Sequence, residues 1–195
     1  EQKQAADLGR YGACILLDYP SDVVKNKSTP DPTDDLLSIL EKTLPDVVYA
    51  HNPADKHPTH IAVLQAVLRA VRSLPDAERP HKLYACEVWR DLDWMLDSDK
   101  VPFDLSKHEN LQAALLGVFD SQIAGGKRYD LASMGRRRAN ATYFQSHGVD
   151  SSLGVTYGMD LTPLIVAPES DIAGYIDAYI QRFARDVAER IRKHE

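Results

Sequence analysis

The chain has 195 residues, a formal net charge of −6, 44% apolar and 27% charged residues. That length suits one domain with a sizeable core, here taken as residues 1–195. The acidic balance excludes nucleic acid and anionic lipid as default partners. The basic run "GKRYDLASMGRRRAN" is the local exception, and its helical pattern marks a solvated face. No apolar run approaches the ~18 residues of a membrane helix, so no span is expected. Cys14 and Cys86 lie in apolar runs, where buried free thiols and a cytoplasmic location are expected. The first residues, "EQKQAADLGR", carry no signal peptide and no initiator Met. They read as the middle of a helix with Ala5, Ala6 and Leu8 facing inward, so the chain is expected to begin inside a longer protein.

Strands and helices alternate through the first half. "ACILLD" (13–18) is a strand candidate. "TDDLLSILEKTL" (33–44) is an amphipathic helix capped by Thr33, with acids in its first turn to suit the helix dipole. "DVVYA" (46–50) is a continuous apolar run, the pattern of a strand buried in a parallel sheet. Residues 58–73 are helical, with Ile61, Leu64, Val67, Leu68 and Val71 on one stripe. "HKLYACEVW" (81–89) is the next strand. This order predicts an α/β fold, a Rossmann-like, largely parallel sheet flanked by helices.

The second half turns helical. Ser106 and Glu109 form a capping box before "NLQAALLGVFDSQI". Further helices are predicted over about 129–146 and 170–193. The Gly-, Ser- and Pro-rich segment 147–168 reads as a loop with one short strand.

The stretch "HNPADKHPTH" (51–60) places three histidines and an aspartate between the strand 46–50 and the helix 58–73. Ligands bind outside the carboxyl ends of strands in open α/β sheets, so the location suits chemistry. His57 falls at the N-cap and Pro58 at the first helical position. His57 and His60, three apart, share one side of the helix start. Neutral imidazole is the commonest metal ligand, and near pH 7 it is also a general acid or base. A catalytic zinc site needs three protein ligands and an open position. Two surface histidines without a metal fit the same spacing.

The longer stretch "LPDVVYAHNPADKHPTHIAVLQAVLRAV" resembles the second signature of the LmbE-like, PIG-L-type deacetylases. These are zinc-dependent enzymes that remove acetyl from N-acetylglucosamine-containing molecules. "EQKQAADLG" resembles the family's Ala-rich helix ending in Leu-Gly. "YACEVWRD" is similar to a strand near its pocket, and "SQIAGGKRYDLASMGRRRA" to its late helical region. The likeness covers most of residues 1–145. It implies that His60 is a zinc ligand and that His57 stabilises or protonates the tetrahedral intermediate. Thr59 stands where the family has Asp. Asp55 is the candidate replacement carboxylate near the substrate, and Arg90 is a candidate substrate contact.

The family's first signature, His-Pro-Asp-Asp-Glu, is absent from these 195 residues. It supplies two zinc ligands and the general base. The nearest imitation, "PTDDLL" (32–37), is explained as a helix start. One histidine cannot hold catalytic zinc, so a further 50 to 70 residues carrying the missing ligands are expected upstream, and the sheet is expected to lack its N-terminal βα unit. The resemblance implies a cytoplasmic zinc amidohydrolase acting on an N-acetylated amino sugar, working as a homo-oligomer. Two other readings stay open. One is a metal-free α/β domain that binds a sugar or a partner. The other is an unrelated hydrolase using His57 without metal.

Overall fold

The computed structural model describes residues 1–144, 147–167 and 169–195. Eight helices and four strands are found among them. In chain order these are α1 (Gln2–Gly9), α2 (Ser21–Lys25), α3 (Asp31–Thr43), β1 (Val47–His51), α4 (Pro58–Ser73), β2 (Lys82–Cys86), β3 (Val101–Asp104), α5 (Glu109–Gly117), α6 (Tyr129–Tyr143), β4 (Val155–Asp160), α7 (Pro163–Val166) and α8 (Ile172–Arg192). The fold class is α/β. The strand order is β1-β2-β4-β3. β1 and β2 run parallel, in a register that sets His51 beside Cys86, while β4 runs antiparallel to β2. The sheet is therefore mixed, which corrects the expected largely parallel, Rossmann-like sheet. A parallel neighbour needs a crossover such as β1–α4–β2. β4 is entered from the loop after α6 instead, so no such crossover dictates its direction.

The chain divides into two compact units. One comprises Glu1–Leu16 and Pro102–Thr156, the other Leu17–Val101 and Tyr157–Glu195. In the first, α5 packs against α1 and α6. Ala5 and Ala6 are buried, as the sequence predicted for α1, whereas Leu8 is exposed. The capping box is absent: His108 is the N-cap of α5, in a left-handed conformation. Ser106 turns away, its hydroxyl bonding Asp104 and accepting the Leu153 N–H. α6 ends at Tyr143, and the predicted end at 146 lies outside the described residues.

The second unit holds the histidine stretch. α4 buries Leu64, Leu68 and Val71 on the stripe its sequence predicted, and packs on β1, α2, α3 and α7. Leu83, Met159 and Leu164 are buried in the same unit. α3 begins at Asp31, two residues before the expected cap, and Thr33 Oγ1 instead accepts from Arg69 Nε at 3.3 Å. α8 is capped by Asp171, whose carboxylate accepts from the Ala173 and Gly174 N–H groups.

Two predicted strands differ from expectation for one reason. Residues 13–18 form no strand, and Ile15 and Leu16 are each 55% exposed. An apolar run becomes a strand only where a neighbour completes its backbone hydrogen bonds. Cys14 is accordingly exposed rather than buried, and Cys86 is half-buried; both are free thiols. β1 does form, but at the sheet edge, so Tyr49 is 62% exposed where full burial was expected. Among the described residues no helix is long and apolar enough to cross a membrane.

Candidate metal centre

The site is built where β1 hands over to α4. The buried Asn52 folds back on itself, its side-chain oxygen accepting the Ala54 N–H at 2.8 Å. Its carbonyl accepts the Asp55 N–H at 3.1 Å. Asp55 repeats the device: Oδ1 accepts the His57 N–H at 2.8 Å. These side-chain-to-backbone bonds let a polar loop enter the core edge without orphaned amides. His57 then caps α4 in an extended conformation, and Pro58 occupies the first turn, as the sequence predicted.

The turns bring His51, Asp55 and His60 together. One ligand atom from each lies within 4.8 Å of the others, so the three form a group that could hold a metal ion. Asp55 Oδ2 is 3.1 Å from His60 Nδ1, and its side chain is 2% exposed. The pair is close but poorly aligned for a hydrogen bond, and the buried His60 Nδ1 has no hydrogen-bond partner. A buried nitrogen that faces a carboxylate at this distance without a well-aligned hydrogen bond invites an explanation. A metal ion supplies one.

The electrostatics point the same way. Burial, helped by the nearby His60, holds the His51 imidazole below its ordinary pKa, so it stays neutral. Burial alone raises the Asp55 carboxyl. The His57 N–H and the two histidines outweigh that and leave it below its ordinary value, so it is ionised. Neutral imidazole and ionised carboxylate are the forms that bind metal. Two imidazoles and one carboxylate also suit divalent transition metals, zinc included. One feature opposes immediate loading. The His51 and His60 rings are stacked, 4.1 Å between centroids and 5° from parallel. A ligating imidazole directs its lone pair within its own plane, and two stacked planes never meet. One ring must turn before both can coordinate.

His57 lies outside this trio, exposed, its ring 5.0 Å from that of His60 and 5.1 Å from that of Trp89. Thr59 does not face His57; its hydroxyl shares a 2.7 Å hydrogen bond with Ser21. Asp55, buried between the two half-buried histidines, meets His57 through that residue's backbone N–H. Arg90, the other expected substrate contact, donates from Nη1 to the Ala54 carbonyl and to Glu87 Oε1 at 3.5 Å. Sequence reasoning missed His51 as a candidate ligand. The signal was present, because three histidines were visible in ten residues. What was missing was the turn that carries His51 back over His60. A cavity of about 770 Å³ lies between α4 and α8, with Pro53, Leu64, Ile176 and Ile180 in its walls. The histidines do not line it.

No family model matches the sequence, and no curated protein matches it. Among solved structures the chain is similar to the crystal structure of a conserved protein, TT1542, from Thermus thermophilus. The TM-score is 0.64 at 19% identity, covering 87% of this chain and 74% of that one. At that identity the likeness supports the α/β fold and nothing finer.

Proposed function

We propose that this chain is a zinc-dependent hydrolase that removes the acetyl group from an N-acetylglucosamine-containing substrate. The observation that carries the reading is the convergence of one donor atom each from His51, Asp55 and His60, with the buried Nδ1 of His60 3.1 Å from Asp55 Oδ2. The likeness of "HNPADKHPTH" and its flanks to the second signature of the LmbE-like, PIG-L-type deacetylases supplies the substrate class.

His51, Asp55 and His60 would hold the metal. Bound there, zinc supplies Lewis-acid activation of the acetyl carbonyl and of an attacking water. Two of the chain's own residues would act on the substrate. His57, exposed at the N-cap and outside the trio, donates a hydrogen bond to the developing oxyanion and a proton to the leaving amine. Trp89, half-buried against His57, offers a flat apolar face for a sugar ring. The proton-accepting carboxylate of the family's first signature is absent from these 195 residues. The trio offers three candidate donors within the chain.

The test is zinc content and acetate release compared across variants. His60→Ala and His51→Ala should each lose zinc. His57→Ala should keep zinc and lose turnover. Equal zinc loss in all three would overturn this division of roles. A second reading, a metal-free sugar- or partner-binding domain, is favoured by the stacked imidazoles, which are not aimed at a common point. Wild-type protein that takes up no zinc when offered it would overturn the first reading, and an N-acetylated sugar that binds it without acetate release would favour the second.

A further inference from the structure

The segment leaving β2, residues 87–95, belongs to neither the trio nor the motif resemblance at the histidines, yet it touches the histidine loop at two points. Trp89 lies against His57, and Arg90 donates to the carbonyl of Ala54. Its backbone is unusual. Asp91 and Leu92 are consecutive non-glycine residues in the left-handed region, at φ 53° and 61°. Side chains rarely adopt that conformation once, and two in succession persist only where the surroundings over-determine them.

Glu87 is what over-determines them. It follows the last residue of β2, and its side chain is 0% exposed. Oε2 accepts the Leu92 N–H at 3.3 Å and the Trp94 indole N–H at 3.2 Å. Oε1 faces the Arg90 guanidinium at 3.5 Å. One buried carboxylate therefore fixes the turn at two places and orients the arginine that reaches across. The Asp93 N–H to Arg90 carbonyl bond, 3.0 Å, and the Met95 N–H to Leu92 carbonyl bond, 2.9 Å, close the turn from within.

We propose that Glu87 and Arg90 are positioning residues for the histidine loop. Glu87 holds the strained turn, the turn presents Arg90, and Arg90 ties down the Ala54 carbonyl one residue before Asp55. The pair thereby fixes where Asp55 stands relative to His51 and His60. The role of Arg90 in this proposal replaces the substrate contact expected from sequence. The consequence for metal affinity rests on the proposed metal reading; the hold on the loop does not.

Arg90→Ala is the primary variant, because Arg90 is 44% exposed and its removal leaves no hole in the core. Two readouts separate the claims. In metal-free protein, amide hydrogen exchange at Ala54, Asp55 and His57 should quicken by about tenfold or more, with Leu64 to Leu68 of α4 unchanged. In zinc titrations against a competing chelator, affinity should fall by about 10–100-fold, the usual effect of losing a residue that orients a ligand. Arg90→Lys, which can still donate once to Ala54, should restore part of both. Glu87→Gln should reproduce the exchange change if it folds. Unchanged exchange in Arg90→Ala overturns the proposal. Faster exchange with wild-type zinc affinity overturns the link to metal. Wild-type protein that binds no zinc ends the metal reading, and the exchange result still decides the positioning role.

Discussion

Two loops leave the carboxyl ends of adjacent parallel strands, and they are held in opposite ways. The loop after β1, residues 52–57, is held mostly by its own short side chains. Asn52 and Asp55 each bond backbone amides two residues on, and every residue keeps an ordinary backbone conformation. The loop after β2, residues 87–95, is held by one buried carboxylate against two left-handed residues. The first is local chemistry, so it carries titratable side chains at little conformational cost. The second stores strain at about 1–3 kcal/mol per residue, and is kept in place by hydrogen bonds to the buried Glu87 and within the turn. Of the three side chains that could hold a metal, Asp55 sits on the relaxed loop, while His51 ends β1 and His60 lies in the first turn of α4; the strained loop, in the proposal above, braces the relaxed one.

That contrast can be broken from either side. The largest stability effect should come from the scaffold common to the first loop. Leu64→Ala, on the fully buried face of α4, should destabilise by about 2–5 kcal/mol in chemical denaturation. A change below about 1 kcal/mol would mean that α4 is not the anchor. Next comes the relaxed loop itself. Asp55→Ala removes the acceptor for the His57 N–H and should cost about 1–2 kcal/mol, together with loss of bound zinc. Stability loss without zinc loss would leave Asp55 a loop-former only.

The strained loop should respond more weakly at any one bond. Trp94→Phe keeps an aromatic ring and deletes one hydrogen bond to Glu87. A cost of about 0.5–1 kcal/mol is expected in thermal unfolding. No measurable cost would show that the Leu92 N–H alone suffices to hold the turn. The smallest effect belongs to Asp160 on β4, a control outside both loops. Burial raises this carboxyl, but hydrogen bonds from Thr162 and Lys82 outweigh it and leave it below its ordinary 3.8. A lowered folded pKa contributes stability above the ordinary value, and that contribution is lost as pH falls through the folded one. Asp160→Asn should therefore cost a little stability at neutral pH and progressively less as pH falls below about 4, which flattens the acid limb of the stability profile. An unchanged acid limb would assign that limb to other carboxylates.

The relaxed loop was also the legible one. Its helix start, N-cap and first proline were written in adjacent residues, and so was the stripe of α4. Asx-type turns act over two residues, so "HNPADKHPTH" contains nearly everything needed to build them. The role of Glu87 was not legible. Its partners are recognisable only once a turn of two left-handed residues exists, and neither Asp91 nor Leu92 advertises that conformation. The run 13–18 failed in the other direction. Its β-rich composition is a preference that a neighbouring strand must complete, and none does so among the described residues. β3 was not anticipated, because Val101–Asp104 is short and carries a proline.

By itself the sequence determined the α/β class, the β1–α4–β2 crossover and the clustering of imidazole at a strand end. Each depends on residues close together along the chain, through period, capping or turn chemistry. Tertiary structure alone decided that β1 lies at an edge and that β4 runs against β2. It also decided that His51 stacks on His60 with Asp55 beside them, and that a buried glutamate braces the loop. Those outcomes depend on which distant segment arrives to complete a hydrogen bond or exclude water, and local pattern does not encode that arrival.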